Sequence, residues 1–222
     1  MSEILVTLQQ GKRAYQRGSK PVIALDSATC TVHSGDRIAL LGRSGSGKST
    51  LLHLLGGLDT LTDGTISWPA LGPYEALRPT QIGFVFQTPS LLAPLTVIEN
   101  VEVPLLLTEK KGENTRAQAY DLLKRMDLLS LADKLPEELS GGQAQRVAFA
   151  RALVCKPKLI LADEPTGQLD HPTAERLFDV LLAVLEETNT ALVVATHDLT
   201  VARRMPTIWK MHYGHLEESR PC

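Results

Sequence analysis

Residues 42–49 read Gly42-Arg43-Ser44-Gly45-Ser46-Gly47-Lys48-Ser49, which fits the pattern GxxxxGK[ST]. No other feature narrows the fold as much. The apolar run 38–41 precedes the motif, and Leu51, Leu52, Leu54 and Leu55 follow it at helical spacing. The loop therefore joins a buried strand to a helix. Its glycines let successive N–H groups turn inward around a phosphate, and the helix start adds the positive end of its dipole. Lys48 can reach β- and γ-phosphates, and the Ser49 hydroxyl can ligate Mg²⁺. The stretch from Gly42 through Thr50 is a candidate nucleotide site.

The rest of the chain suits such a loop. Short apolar runs at 4–8, 22–25, 38–41, 64–68, 82–86, 159–162, 191–195 and 207–211 predict strands. Helical patterns cover 48–55, 96–106, 116–126, 142–153, 173–187 and 199–204. Strands that are apolar throughout predict parallel strands covered on both faces, so the fold class is α/β. Residues 88–151 show helical periods and no convincing strand, which predicts a helical lobe inserted into the core. Lys111-Gly112-Glu113-Asn114 predicts a polar break between its helices.

Composition excludes several classes. The 222 residues carry 23 Lys+Arg against 25 Asp+Glu, a net charge of −2 with no basic footprint for nucleic acid. Apolar runs such as 103–107 and 180–185 fall far short of the ~18 residues that span a bilayer. The first ten residues lack the layout of a signal peptide. Cys30, Cys155 and Cys222 lie far apart and form no CxxC, which fits a reducing compartment.

A phosphate loop needs a carboxylate to hold its metal. Residues 159–162 form a buried strand that ends at Asp163, and ligands of open α/β sheets sit at strand carboxyl ends. With Asp163 at the metal, Glu164 can face the attacking water as general base. Leu139-Ser140-Gly141-Gly142-Gln143 opens a helix and makes a second candidate anion site. One ATP needs one cradle, so a second makes sense if it closes over ATP on another subunit. By spacing alone, a plain N-cap with a glycine turn is the better reading of these residues.

In this order the motifs resemble those of the ATP-binding-cassette ATPases: the loop at 42–49, LSGGQ at 139–143 and LADE at 161–164. Further pieces fit the resemblance over essentially the whole chain. Gln87 stands at the Q-loop position, Gly167-Gln168-Leu169-Asp170 at the D-loop, and His197 at the switch histidine. Tyr15 lies upstream, where an aromatic stacks on adenine. The resemblance implies one ATPase domain: a mixed core sheet with flanking helices and an antiparallel β part (about 1–87 and 152–222), and an α-helical lobe (about 88–151). It implies that Gly42–Thr50 and Tyr15 hold ATP, and that Ser49, Gln87 and Asp163 hold Mg²⁺. Lys48, Gln87, Glu164 and His197 are then catalytic. Ser140, Gly141, Gly142, Gln143 and Asp170 complete the site in a second copy of the chain, in a head-to-tail dimer around two ATP.

Residues 51–59, Glu99-Asn100-Val101 and Pro104-Leu105-Leu106 resemble the lipoprotein-release and macrolide-export cassettes. Gln168 departs from the Asn usual there, and Ala144 from the usual polar residue. Residues 68–80 are short for that group, and Pro69, Gly72, Pro73 and Pro79 disfavour a helix. The resemblance implies a bacterial ATPase at the cytoplasmic face of the cell membrane, cytoplasmic when isolated, acting on separately encoded permease subunits. A regulatory complex that transmits force without transport is the alternative. Thr88, Pro89, Leu91, Leu92 and Leu95 offer either a docking patch or packing within the lobe. Lys12, Arg13 and Arg17 read as a small solvated cluster, with contact to phosphate as the alternative.

Overall fold

The computed structural model describes residues 2–18, 20–108 and 114–219. The polar break expected at Lys111-Gly112-Glu113 lies outside them, as does Cys222. In chain order come β1 (Ile4–Arg17), β2 (Lys20–His33), β3 (Arg37–Gly42), α1 (Lys48–Leu55), β4 (Asp63–Ser67) and β5 (Ile82–Val85). There follow α2 (Val97–Leu106), α3 (Thr115–Arg125), α4 (Gly141–Leu153), β6 (Leu159–Asp163) and α5 (His171–Thr188). The chain continues with β7 (Ala191–Thr196), α6 (Leu199–Ala202), β8 (Thr207–His212) and β9 (His215–Ser219).

Two sheets form. The larger runs β5-β6-β7-β3-β8-β9, parallel except for the β8–β9 pair. The smaller is antiparallel, in the order β2-β1-β4. This is the expected α/β class with a mixed sheet and an antiparallel part. Strand alternation divides the interior into two cores. On β3, Ala39 enters one core while Ile38 and Leu40 enter the other. On β6 the division is Ile160 and Ala162 against Leu159 and Leu161. One core is completed by α2–α6, the second by α1 and the small sheet. Both faces of the parallel strands are buried, which is why their sequences are apolar throughout.

The structure differs from the sequence pattern in three places. β1 and β2 each span 14 residues, not the short runs expected. β1 is polar beyond Leu8, and its pairing with β2 is interrupted there by register shifts, with Gln10 at φ 48° and Ser27 at φ 56°. β9 was not expected at all. A two-residue turn, Tyr213 (φ 48°) and Gly214 (φ 82°), folds it back on β8, the backbone a type I′ hairpin needs. The helix expected over 199–204 is regular only through Leu199–Ala202. Between β4 and β5 the prolines permit only single turns, at Tyr74–Ala76 and Leu77–Gln81.

One buried amide fixes the segment after β5. Asn100 has no exposed surface. Its Nδ2 donates to the carbonyls of Leu92, Leu95 and Thr96 at 3.1, 2.9 and 3.1 Å, and its Oδ1 accepts from Leu92 N at 2.7 Å. Asn100→Ala strands those buried groups, at a cost of about 2–4 kcal/mol. The expected reading is a lower urea midpoint with an unchanged slope.

Candidate active site

Strands β6, β7 and β3 lie side by side and parallel, so their carboxyl ends leave the sheet at one edge. The register pairs Leu41 with Thr196 and Asp163 with Ala195. Chain that runs on past these pairs brings the 42–49 loop, Glu164 and His197 together.

The loop is held from beneath. Gly45 and Gly47 sit at φ 76° and 109°. A Cβ on Gly47 would lie 2.3 Å from the Ala24 carbonyl oxygen, so no other residue fits there. Gly214 N donates to Ser46 O at 2.9 Å, and Asp26 N donates to Gly214 O at 2.8 Å. The β8–β9 turn and β2 thus prop the loop that α1 continues.

Lys48 is buried at the start of α1. Its Nζ donates to Gly42 O at 2.8 Å and pairs with Glu164 Oε1 at 3.1 Å. Glu164 Oε2 lies 2.7 Å from His197 Nδ1. The Glu164 side chain is 15% exposed and that of His197 69%. Glu164 takes φ 45°, a left-handed conformation unusual for its type, and its N–H donates to Ala195 O at 2.9 Å. The backbone turn after β6 therefore aims the carboxylate back toward Lys48, and His197 steadies it.

Two buried atoms at this edge, Ser46 Oγ and Asp163 Oδ1, have no hydrogen-bond partner. Buried polar atoms are nearly always paired, so an unpaired serine oxygen in a glycine loop and an unpaired carboxylate oxygen at a strand end fit a ligand. The donor set suits a phosphate at the loop amides and a hard cation at Asp163 and Ser49. Gln87 is exposed just after β5, and its Nε2 is 3.2 Å from where a Cβ on Gly167 would lie. It reaches the turn that follows Glu164.

The 139–143 motif forms a separate cluster. Ser140 caps α4: Gln143 N donates to its Oγ at 3.3 Å, and its own N–H donates to Gln143 Oε1 at 2.9 Å. The Gln143 side chain is therefore engaged in the cap. Ser140 and Gly141 are exposed, whereas a Cβ on Gly142 would lie 2.3 Å from Thr173 Cγ2 of α5. Asp170 caps α5, accepting from Thr173 N at 2.8 Å. Hydrogen bonds from the Thr173 side chain and backbone hold its carboxyl below the usual range. Arg43 is exposed beside the loop, and Thr50 lies in the first turn of α1.

Tyr15 stands on β1, cross-strand from Val22. Its hydroxyl donates to Asp59 Oδ2 at 2.6 Å, and the Arg13 guanidinium lies 4.7 Å from its ring centroid. Two members of the basic cluster are thus paired: Arg13 with Asp59 at 2.6 Å and Lys12 with Asp26 at 3.1 Å. The sequence reading missed the role of Asp59 here. The signal available was an acid in the turn after α1, with Arg13 and Tyr15 two apart on a strand.

Residues 25–167 match the sequence family described as ABC transporter. A lipoprotein-releasing system ATP-binding protein LolD of Legionella pneumophila (strain Paris) is 44% identical over 223 residues, 97% of this chain and 98% of that protein. The protein of that name from Pseudomonas fluorescens is 43% identical, covering 92% and 93%. Among solved structures, the ATP-binding cassette MJ0796, a dimer in a post-hydrolysis state bound to ADP and Pi, superposes with a TM-score of 0.86. It is 38% identical, and the match covers 97% of this chain and 98% of that one. A loop, a carboxylate and a histidine at one sheet edge, with likeness of this extent, make the chain a member of the ABC transporter family, a nucleotide-binding ATPase subunit.

Proposed function

We propose that this ATPase drives lipoprotein release from the cytoplasmic face of the cell membrane, acting on separately encoded permease subunits. The observation that carries the catalytic part is the convergence of Lys48, Glu164 and His197 at the edge where the 42–49 loop opens. Near-complete coverage of the lipoprotein-releasing relatives supports the substrate class. Among the described residues no helix is long and apolar enough to cross a membrane. Leu92 before α2, and Leu106 and Leu107 at its C-terminal end, are exposed apolar side chains that could meet the permease subunits.

Loop amides and Lys48 hold the triphosphate. Mg²⁺, held by Ser49, Asp163 and Gln87, would neutralise phosphate charge. Glu164 takes the proton of the attacking water, and His197 Nδ1 orients that carboxylate. With Nδ1 on Glu164, Nε2 is the ring nitrogen left for the γ-phosphate. Ser140 and Gly141, exposed at the start of α4, complete the site of a second copy bound head-to-tail. Residues 1–87 and 152–222 then act as core and β part, and 88–151 as the lobe that presents Ser140.

Size-exclusion with light scattering tests this on the Glu164→Gln chain. The expected result is a monomer without ATP and a dimer with it. Ser140→Arg in the same background should stay monomeric with ATP, because its side chain would enter the partner's phosphate site. A stable ATP-bound dimer in that double variant would remove Ser140 from the interface.

A further inference from the structure

Tyr15 does not stand alone on its strand. Its hydroxyl and the Arg13 guanidinium converge on one carboxylate: Tyr15 Oη at 2.6 Å from Asp59 Oδ2, Arg13 Nε at 3.0 Å from the same oxygen, and Arg13 Nη2 at 2.6 Å from Oδ1. Arg13 also lies over the Tyr15 ring. One ring face is thereby covered by a cation, and the hydroxyl end is tied down. The ring has two χ angles, and both are fixed by these contacts. Burial alone would push the Asp59 carboxyl up, but hydrogen bonds from Tyr15 and Thr60 N and the Arg13 charge outweigh it and hold it below the usual range. The acceptor is therefore ionised at neutral pH.

The clamp has a second end. Asp59 lies in the turn that follows α1, the helix that begins at Lys48. That turn is bonded to β1 along its length: Thr62 N donates to Lys12 O at 2.8 Å, and Ala14 N donates to Thr62 Oγ1 at 3.0 Å. On the other side, Val22, paired with Tyr15, lies two residues from the Ala24 carbonyl that packs under Gly47. Val22 is 47% exposed and adds apolar surface beside the ring.

We propose that Asp59, with Arg13, is a positioning residue for the purine: it fixes the Tyr15 ring, one face backed by Arg13, so that the open face takes the base while α1 holds the phosphates. This rests on the reading that Tyr15 stacks on adenine. The polarity of the stack follows from its order. A guanidinium on the far face draws electron density from the phenol ring, which strengthens stacking with an electron-rich purine.

The test uses the full-length chain, with ATP and inorganic tripolyphosphate as probes. Asp59→Ala should raise the KM for ATP about five- to tenfold, the worth of one or two hydrogen bonds, and leave kcat within twofold. Tripolyphosphate, which has no base, should inhibit wild type and variant with the same constant. Asp59→Asn keeps an acceptor for the Tyr15 hydroxyl and should recover most of the loss. Added to Tyr15→Phe, Asp59→Ala should cost much less than it does alone, because the shared hydrogen bond is already gone. If Tyr15→Ala raises the KM but Asp59→Ala does not, the positioning role is overturned and the stack survives. If Tyr15→Ala leaves the KM unchanged, the stacking reading itself is lost. Weakening of tripolyphosphate by Asp59→Ala would show a general distortion of the loop and overturn the proposal.

Discussion

Glu164→Gln is expected to bind Mg-ATP as the wild type does and to hydrolyse it about 10²–10⁴-fold more slowly. The amide keeps the size of the carboxylate and can still accept from His197 Nδ1, so the φ 45° turn and the strand register persist. Only the ability to take a proton is lost. Single-turnover phosphate release, set beside equilibrium ATP binding, separates the two effects. Turnover within a fewfold of wild type would show that another group takes the proton, and the 15% exposed carboxylate would then be a steadying partner of Lys48 and His197.

Lys48→Ala is expected to fail one step earlier. Lys48 is buried, and its ammonium faces Glu164 and the Gly42 carbonyl at the mouth of the loop. Removing it takes away the one fixed cation among loop amides and leaves Glu164 to repel the triphosphate. A charge-assisted contact from the ammonium to the phosphates is worth about 1.5–3 kcal/mol, so ATP affinity should fall about ten- to a hundredfold. Equilibrium binding of ATP measures this directly. Wild-type affinity in that variant would mean that the loop amides alone hold the nucleotide. Comparison with Glu164→Gln is informative because the two residues touch, yet one variant should weaken binding and the other only turnover.

The parts of this fold that were legible in the sequence are those where one physical demand dominates. β3, β6 and β7 are buried on both faces, so their apolar runs mark them. The 42–49 loop admits few alternatives because only glycine fits over Ala24. β9, the outer half of β1 and residues 26–33 of β2 were not legible, because half-exposed strands owe their pairing to turns and bulges made elsewhere. At the site, Lys48 and Glu164 could be named, but their 3.1 Å contact depends on the left-handed turn at Glu164, which no residue pattern signals. Asp59 was visible as part of a motif and silent as chemistry, since its partners lie 44 and 46 residues away. The side chains of Gln143 and Asp170, expected at nucleotide, are engaged in capping α4 and α5.

Among the described residues, the two cores on opposite faces of the parallel sheet share no side chain. Leu52 and Trp209 belong to the face that carries the phosphate helix, and Phe149 and Phe178 to the face that carries α4 and α5. Substitutions placed one on each side should add in stability, while pairs within one side should not. For a lineage, this partition permits drift. A volume-conserving change in the core beneath α4 and α5 can be absorbed there while the core behind the phosphate helix keeps its packing.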